Sequence, residues 1–255
     1  VQNHLLQLLC LTAMEPPADL TADAIRDEKV KVIRSIRRIE GADVGKYVVR
    51  AQYSAGSVNG KRVAAYRDEE NIPPDSETET YVALELNVDN WRWAGVPFFV
   101  RVGKRLPKGG TEIALHFKSA PPILFNQRSA EEKPIEDNVL VIRIQPDEGV
   151  SLRMSAKLPG SSLRVEPVKM DFHYGTSFGR PTPEAYERLL LDAMAGDATL
   201  FARRDEVEEA WKIVDAIREG WKDGHDDLAF YGAGSWGPTE AEDLVKRSGA
   251  TWRRL

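Results

Sequence analysis

A cluster of cations interrupts an otherwise acidic chain. Two arginines and two lysines lie between Arg101 and Lys108, where a predicted strand enters a turn that contains Gly103. Arginine forms paired hydrogen bonds with a phosphate, lysine supplies a compact positive charge, and glycine lets the backbone approach an anion closely. The segment therefore predicts an anion site. The alternative is a solvated strand end, whose lysines discourage edge-to-edge aggregation.

His4 is the second candidate, here for proton transfer. It lies in the apolar segment of residues 1–13, which predicts a helix buried over most of its circumference. An imidazole shielded from water stays neutral, and a neutral ring can accept a proton from a hydroxyl within reach. The residues alone leave two interpretations open: a general base, or a core histidine whose hydrogen bonds are satisfied by its neighbours.

The other reactive side chains give weaker signals. No spacing among the histidines and acidic residues indicates a metal site. Cys10, the single cysteine, lies in the apolar segment and is expected to be an inert core thiol. One cysteine also excludes an internal disulfide framework and suits the reducing cytoplasm. The six tryptophans are expected to anchor a core or an interface.

Composition is that of an ordinary globular protein. The 255 residues are 42% hydrophobic and 29% charged, which argues against disorder and low complexity. A net charge of -5 argues against a general nucleic-acid binder. No apolar stretch reaches the ~18 residues that a membrane helix requires. We therefore expect neither a nucleic acid nor a membrane as a partner.

Helical patterns occur at both ends of the sequence. Pro16 and Pro17 end the first helix, because proline lacks the N–H group that a helix interior needs, and Thr21 is expected to cap a second helix. Thr182 is expected to cap a helix that has Pro183 in its first turn and ends near Gly196. A further helix is predicted to have an inward face made up of Val207, Trp211, Val214 and Ile217.

Two segments are expected to be irregular. Residues 41–76 are polar and contain an acidic patch and a Pro-Pro pair, so we interpret them as an extended, lid-like connection. The tail from Tyr231 is rich in glycine and aromatic residues and is expected to pack irregularly on the body of the protein.

The middle third of the sequence predicts strands. Residues 81–89 alternate between apolar and polar side chains, as in a strand with one buried face. Short connectors such as residues 145–149 favour hairpins and hence antiparallel pairing. Further strands are predicted at residues 97–103, 111–118, 138–145, 149–157 and 162–172. This order of elements predicts an α+β fold, a single domain over residues 1–255 with one large, mostly antiparallel sheet and helices on one side.

Five short segments, taken in their order along the chain, resemble segments of one known protein family. They are residues 1–7 (VQNHLLQ), 25–29 (IRDEK), 101–106 (RVGKRL), 143–146 (RIQP) and 235–238 (SWGP). In this order they resemble the glucose-6-phosphate dehydrogenases of the bacterial type. The likeness extends over nearly all 255 residues. Each string is short, but five in register form a specific match.

The resemblance implies a role for four residues. His4 corresponds to the family's general base, which takes the proton from the C1 hydroxyl of glucose 6-phosphate. Lys104 corresponds to a lysine that contacts the sugar phosphate, and Gln145 to a further substrate-binding residue. The family's second cation has Gly109 in its place here, and Lys108, one residue earlier, is assigned as its substitute.

The reaction implied by the resemblance is oxidation of glucose 6-phosphate at C1 to 6-phosphogluconolactone, with hydride transfer to NADP or alternatively NAD. This is the first step of the oxidative pentose phosphate pathway. The resemblance also implies a homodimer or homotetramer formed through the sheet.

A glycine-rich strand–turn–helix fingerprint of a coenzyme domain is absent from these residues. We therefore expect a C-terminal substrate-binding and oligomerisation domain of a longer cytoplasmic enzyme. NADP would bind mainly to a preceding domain, and the chain alone would be inactive. The alternative is a non-catalytic module that binds a sugar phosphate or serves only in oligomerisation.

Overall fold

The computed structural model of the chain divides into two compact units. The first consists of Val1–Lys108 and Glu184–Arg254, and the second of Gly109–Pro183 with Leu255. Among the described residues, no helix has the length and apolar content needed to cross a membrane. The structure describes residues 1–119, 136–160, 165–179, 185–225 and 227–255.

Seven α-helices and ten strands lie within these described residues. The helices are α1 (His4–Ala13), α2 (Ala22–Ser35), α3 (Val44–Tyr47), α4 (Tyr174–Phe178), α5 (Ala185–Ala195), α6 (Arg204–Lys222) and α7 (Thr239–Lys246). The strands are β1 (Val48–Ser54), β2 (Gly56–Val58), β3 (Lys61–Val63), β4 (Tyr81–Asn87), β5 (Pro97–Gly103), β6 (Thr111–His116), β7 (Val139–Gln145), β8 (Gly149–Lys157), β9 (Val165–His173) and β10 (Ala229–Gly232).

The first unit is built on a four-stranded sheet with the order β10-β1-β4-β5. β10 runs parallel to β1, whereas the β1–β4 and β4–β5 pairs are antiparallel. One face of the sheet packs against α1, α2 and α6, and the opposite face packs against α7. The central strands β1 and β4 are buried along most of their length because both faces are covered.

The interpretation of residues 41–76 as an extended, lid-like connection is wrong. The segment contains α3, the hairpin β2–β3 and the central strand β1. Two polar residues conceal β1 in the sequence. Gln52, only 1% exposed, donates to the carbonyl oxygens of Ser76 and Thr78. The Arg50 guanidinium is also buried and stacks on an aromatic ring of α6. Buried polar side chains with internal partners break the apolar pattern on which strand prediction depends.

The prediction of an irregular tail from Tyr231 is also wrong. This residue lies in β10, and the helix α7 follows a few residues later. β10 is only four residues long and ends at a glycine. Such a short strand gives no measurable alternation, so its parallel pairing with β1 is visible only in the folded chain.

The buried face of α6 is rotated from the predicted one. Ile217 is buried and Val214 packs against the core, as predicted, but Trp211 is 44% exposed. Ala210 and Ile213 occupy the core in its place. A shift of one residue turns a helix face by about 100°, which is enough to exchange a core position for a surface one.

Proline and glycine mark the helix ends correctly. α1 ends before Pro16, and α5 ends next to Gly196, as predicted. Thr21 directly precedes α2, but its hydroxyl bonds to Asp19 and makes no cap bond. The predicted cap of α5, Thr182, lies outside the described residues.

The second unit contains a four-stranded antiparallel sheet with the order β6-β7-β8-β9. All four strands are predicted from the sequence to within a few residues, and residues 162–164 of the last prediction lie outside the described part. The α+β class with mostly antiparallel strands is therefore confirmed. The strands form separate sheets where the sequence predicts one large sheet.

Candidate functional site

The predicted cationic cluster lies where β5 leaves the sheet of the first unit. β5 pairs with β4 as far as Gly103, which is opposite Tyr81, and Lys104 is the next residue. The chain then passes through Arg105 and reaches Lys108 at the end of this part of the unit. All three cations are exposed, so the structure places the two predicted lysines in one exposed segment.

The two arginines of the cluster are engaged inside the protein. The Arg101 guanidinium lies 4.7 Å from the centre of the Trp252 ring and donates to the Arg253 carbonyl oxygen at 2.6 Å. Arg105 donates to Glu69 Oε1 at 3.0 Å. Because both guanidinium groups contact other parts of the fold, the predicted anion site depends on the lysines.

Glu69 keeps the Arg105 contact ionic. The Tyr53 hydroxyl donates to Glu69 Oε1 at 2.7 Å, and this bond together with Arg105 holds the pKa of Glu69 below its usual range. The lysines differ from Arg105 in this respect. Neither Lys104 nor Lys108 forms an ion pair with any carboxylate in the described part of the chain. Their ammonium groups are therefore available to an anionic ligand.

Gly103 has a packing role. A Cβ atom at this position would lie 2.6 Å from Cδ2 of Tyr81 and 3.1 Å from Cδ2 of Leu106. The missing side chain makes room for the buried Tyr81 ring, and burial raises the pKa of its hydroxyl to about 12. The structure therefore explains the glycine at this position by the packing of Tyr81, whereas the sequence indicates the close approach of an anion.

Three hydrogen bonds fix the backbone of the turn. The Lys104 amide donates to the Thr80 carbonyl oxygen at 2.9 Å, and the Tyr231 hydroxyl donates to the Lys104 carbonyl oxygen at 2.8 Å. The Gly234 amide donates to the Arg105 carbonyl oxygen at 2.8 Å. None of these partners is predicted as a site residue. Tyr231 and Gly234 have one sequence signal, the glycine- and aromatic-rich composition of the C-terminal tail, and Thr80 has none.

His4 is the first residue of α1, and its side chain is exposed. The prediction that it is shielded within a buried helix is wrong. The core-facing residues of α1 recur every three or four positions, and His4 is two positions before the first of them. They are Leu6, Leu9, Cys10 and Ala13. An exposed imidazole is open to a ligand, whereas a core histidine is not.

A buried polar cluster holds α1 against its neighbours. Glu206 of α6 is completely buried, and its Oε1 atom lies 2.8 Å from Nζ of Lys29 in α2. The same oxygen accepts a hydrogen bond from the Gln7 side chain, one helical turn after His4. Burial, with Glu206 nearby, raises the pKa of Cys10 to about 12, which confirms the inert core thiol expected there.

Gln145 belongs to the second unit. It is the last residue of β7 and is exposed, and its amide donates to Oγ1 of Thr111 on β6 at 3.2 Å. The peptide bond between Gln145 and Pro146 is cis. Beside it, Arg143 donates to Asp171 at 3.0 Å and ties β7 to β9. The side chain of Gln145 therefore lies at the exposed end of an inner strand of this sheet.

Among the described residues, neither a metal ion nor a dinucleotide has an evident site. The described residues contain no group of three or more His, Cys, Asp or Glu side chains that could hold a metal ion. Among the described strands, only β1 and β10 pair in parallel, and no glycine-rich turn joins a strand to a helix between them. The described residues do not fit a dinucleotide, so no coenzyme contact is assigned to them.

Comparison with known proteins identifies the family of this chain. The sequence model of one protein family, described as "Glucose-6-phosphate dehydrogenase, C-terminal domain", matches residues 1–253. The chain belongs to this family. Its α+β fold with mostly antiparallel sheets is the fold of the C-terminal domain of glucose-6-phosphate dehydrogenases.

Curated relatives extend the match along the whole chain. The glucose-6-phosphate 1-dehydrogenase of Aggregatibacter actinomycetemcomitans is 51% identical over 253 residues, which are 99% of this chain and 50% of the relative. That of Bacillus subtilis (strain 168) is 46% identical over 252 residues, 99% of this chain and 51% of the relative. The chain thus spans about half the length of these glucose-6-phosphate dehydrogenases.

Solved structures show the same half. Glucose-6-phosphate 1-dehydrogenase from Mycobacterium avium is 38% identical, with a TM-score of 0.78, over 100% of this chain and 49% of that one. A glucose-6-phosphate dehydrogenase in complex with its substrate glucose-6-phosphate is 33% identical, with a TM-score of 0.83, over 99% and 50% of the two chains.

Proposed function

We propose that this chain is the C-terminal, substrate-binding half of a glucose-6-phosphate dehydrogenase. The observation that carries the proposal is the turn after β5. There Lys104 and Lys108 are exposed and have no carboxylate partner among the described residues. Both arginines of the cluster instead form hydrogen bonds within the protein. A turn with uncommitted ammonium groups suits a phosphorylated sugar. Family membership supplies the sugar's identity.

Lys104 and Lys108 bind the phosphate of glucose 6-phosphate in this proposal. A lysine ammonium offers three hydrogen-bond donors and a charge opposite to that of the phosphate. The backbone hydrogen bonds at Lys104 and Arg105 order the turn before the ligand binds. This order lowers the entropic cost of binding. Gln145 contributes an amide, which donates to or accepts from the sugar hydroxyls.

His4 acts as the general base. It takes the proton of the C1 hydroxyl while C1 loses a hydride, so that the alcohol carbon becomes the carbonyl carbon of the lactone. Its exposed position at the start of α1 lets a substrate approach the imidazole. The core-facing residues of α1 fix the helix, and thereby the histidine, without covering it.

The hydride acceptor is a nicotinamide coenzyme, NADP in the usual case for the family and NAD in the alternative. Since the described residues provide no dinucleotide site, the coenzyme is held mainly by a domain that precedes this chain in the longer enzyme. Hydride transfer requires donor and acceptor to be held in contact. The chain alone is therefore inactive.

The chain works as one substrate-binding and oligomerisation domain of a cytoplasmic homo-oligomer, a dimer or a tetramer. Support for the interface comes from β9, where Val168, Met170 and Phe172 alternate along an edge strand and remain exposed. A row of exposed apolar side chains on a sheet is typical of a surface that another subunit covers.

Steady-state kinetics of the full-length enzyme test the proposal. Lys104→Ala is expected to raise the KM for glucose 6-phosphate about tenfold or more, because a charge-assisted hydrogen bond contributes roughly 1.5–3 kcal/mol. The kcat should change little, since the phosphate is remote from C1. Lys61→Ala, which removes another exposed lysine of the first unit, is the matched control and should keep the wild-type KM.

The alternative is a module that binds a sugar phosphate or joins subunits without catalysis. A full-length protein that reduces neither NADP nor NAD with glucose 6-phosphate would favour this alternative. A Lys104→Ala enzyme with the wild-type KM would instead show that the cationic turn is a solvated strand end.

A further inference from the structure

The hydroxyl of Tyr231 lies within a small polar cluster beneath Lys104. It donates to the Lys104 carbonyl oxygen at 2.8 Å, and the Thr80 hydroxyl lies 3.2 Å from the phenolic oxygen. The Thr80 carbonyl oxygen is farther away, at 3.3 Å, so the shorter bond to Lys104 takes the single phenolic proton. Tyr231 is 127 residues from Lys104 in the sequence, and β10 brings it there.

Ring packing fixes the position of this hydroxyl. Tyr231 is 3% exposed, and its ring centre lies 5.4 Å from that of Tyr81 and 6.3 Å from that of Tyr53. Tyr231 and Tyr53 are also register partners in the parallel β10–β1 pair. A ring held on two sides within a sheet cannot move its hydroxyl to follow a shifting backbone. The backbone of Lys104 must follow the hydroxyl.

The turn needs this support because its backbone is unusual. Arg105 has a φ of 52°, in the left-handed region that residues other than glycine rarely adopt. Bonds on both sides of this residue stabilise the conformation: Thr80 and Tyr231 bind the amide and carbonyl of Lys104, and Gly234 binds the carbonyl of Arg105. Loss of the Tyr231 bond would free the peptide group between Lys104 and Arg105 to rotate.

We propose that Tyr231 is a positioning residue for the substrate phosphate, because its hydroxyl holds the Lys104 peptide group and thereby sets the direction of the Lys104 side chain. This inference rests on the function proposed above. Tyr231 itself is buried and does not touch the ligand. Its effect passes through Lys104 alone, which makes the two residues thermodynamically coupled.

Tyr231→Phe in the full-length enzyme tests the inference. The variant keeps the ring and removes only the hydroxyl. We expect the KM for glucose 6-phosphate to rise about three- to tenfold, which is the effect of one lost hydrogen bond, with kcat within about twofold of wild type. An unchanged KM would overturn the inference.

Ser54→Ala is the matched control. The Ser54 hydroxyl donates to the Tyr231 carbonyl oxygen at 3.2 Å, so the variant removes one hydrogen bond from the same strand and leaves the phenolic hydroxyl in place. We expect the wild-type KM. A rise in KM equal to that of Tyr231→Phe would show a general weakening of β10 and would contradict the positioning role.

A double variant separates action through Lys104 from action elsewhere. If Tyr231 acts by directing Lys104, then adding Tyr231→Phe to Lys104→Ala has no further effect. The double variant and the Lys104→Ala single variant should then have the same KM for glucose 6-phosphate. A further rise in the double variant overturns the inference. Should Tyr231→Phe fail to fold, Thr80→Ala removes the hydroxyl that lies 3.2 Å from the phenolic oxygen and helps to orient it. This variant must raise the KM at constant kcat, and an unchanged KM would overturn the inference.

These outcomes distinguish the two proposals. A wild-type enzyme without glucose 6-phosphate dehydrogenase activity contradicts the proposed function, and the positioning role falls with it. An active enzyme in which Lys104→Ala raises the KM and Tyr231→Phe does not contradicts the positioning role alone.

Discussion

The Nζ atom of Lys29 lies 2.8 Å from Oε1 of Glu206, and both side chains are almost completely removed from solvent. The pair joins α2 to α6, and Gln7 brings α1 into the same cluster. The second carboxylate oxygen, Oε2, is buried without a hydrogen-bond partner among the described residues. Desolvation of these charges is costly, so the pair holds three helices in register more than it adds net stability.

The first prediction concerns this buried ion pair. Lys29→Met is expected to lower the free energy of unfolding by about 3–5 kcal/mol, because it leaves the Glu206 carboxylate buried without its counter-ion. The double variant Lys29→Met/Glu206→Leu removes both charges and should recover most of that loss. Denaturant unfolding measures both values. A double variant as unstable as the single one would show that the ion pair itself stabilises the fold.

Sequence patterns predict where most helices and strands of this protein lie better than they predict which of their side chains are buried. β4 to β9 were predictable because alternation, proline and short connectors are local signals. β1 was not, because Arg50 and Gln52 find partners that are distant in the sequence. A buried polar residue looks like a surface residue until its partner is known.

In the candidate site, too, local signals could be predicted from the sequence and contacts between distant residues could not. The cationic segment and His4 were predictable from residue types and from family resemblance. The engagement of Arg101 and Arg105, and the exposure of His4, depend on tertiary contacts and on the phase of a helix face. Tyr231 could not have been assigned, since only the parallel pairing of β10 with β1 brings it to Lys104.

Cys10 gives a prediction for pH dependence. Burial raises the pKa of its thiol from the ordinary value of 9.0 to about 12. Above pH 9 the thiol ionises in the unfolded chain but not in the folded one, so the free energy of unfolding falls as the pH rises from about 9 towards 12. This contribution is fully present below pH 9. Cys10→Ala should show a smaller decrease over that range in denaturant unfolding.

The same burial predicts the reactivity of Cys10. The thiolate is the reactive form, so a thiol reagent at pH ~8 should modify the denatured chain quickly and the native chain only at the rate of its opening. Rapid modification of the native protein would contradict the burial of α1 against the sheet.

Gly234 should tolerate no side chain. A Cβ atom there would lie 2.0 Å from the Ser57 carbonyl oxygen, and the residue has a φ of +89°. Gly234→Ala must therefore displace the segment whose amide binds Arg105, and we expect a loss of stability of more than about 1–3 kcal/mol. Gly60→Ala, with a φ of +76° but no neighbour within 4 Å of its Cβ, isolates the backbone cost. Equal losses in the two variants would contradict the steric argument.

His4 provides the sharpest test of chemistry. His4→Asn in the full-length enzyme is expected to lower kcat by about 10²- to 10⁴-fold, which is the usual contribution of a positioned general base. The melting temperature should stay near that of wild type, because the side chain is exposed at the first position of α1 and asparagine is well accepted at a helix start. Turnover and thermal unfolding of the same preparation separate the two effects. Undiminished turnover would remove His4 from the mechanism, and a lost kcat accompanied by a large drop in melting temperature would assign it a structural role.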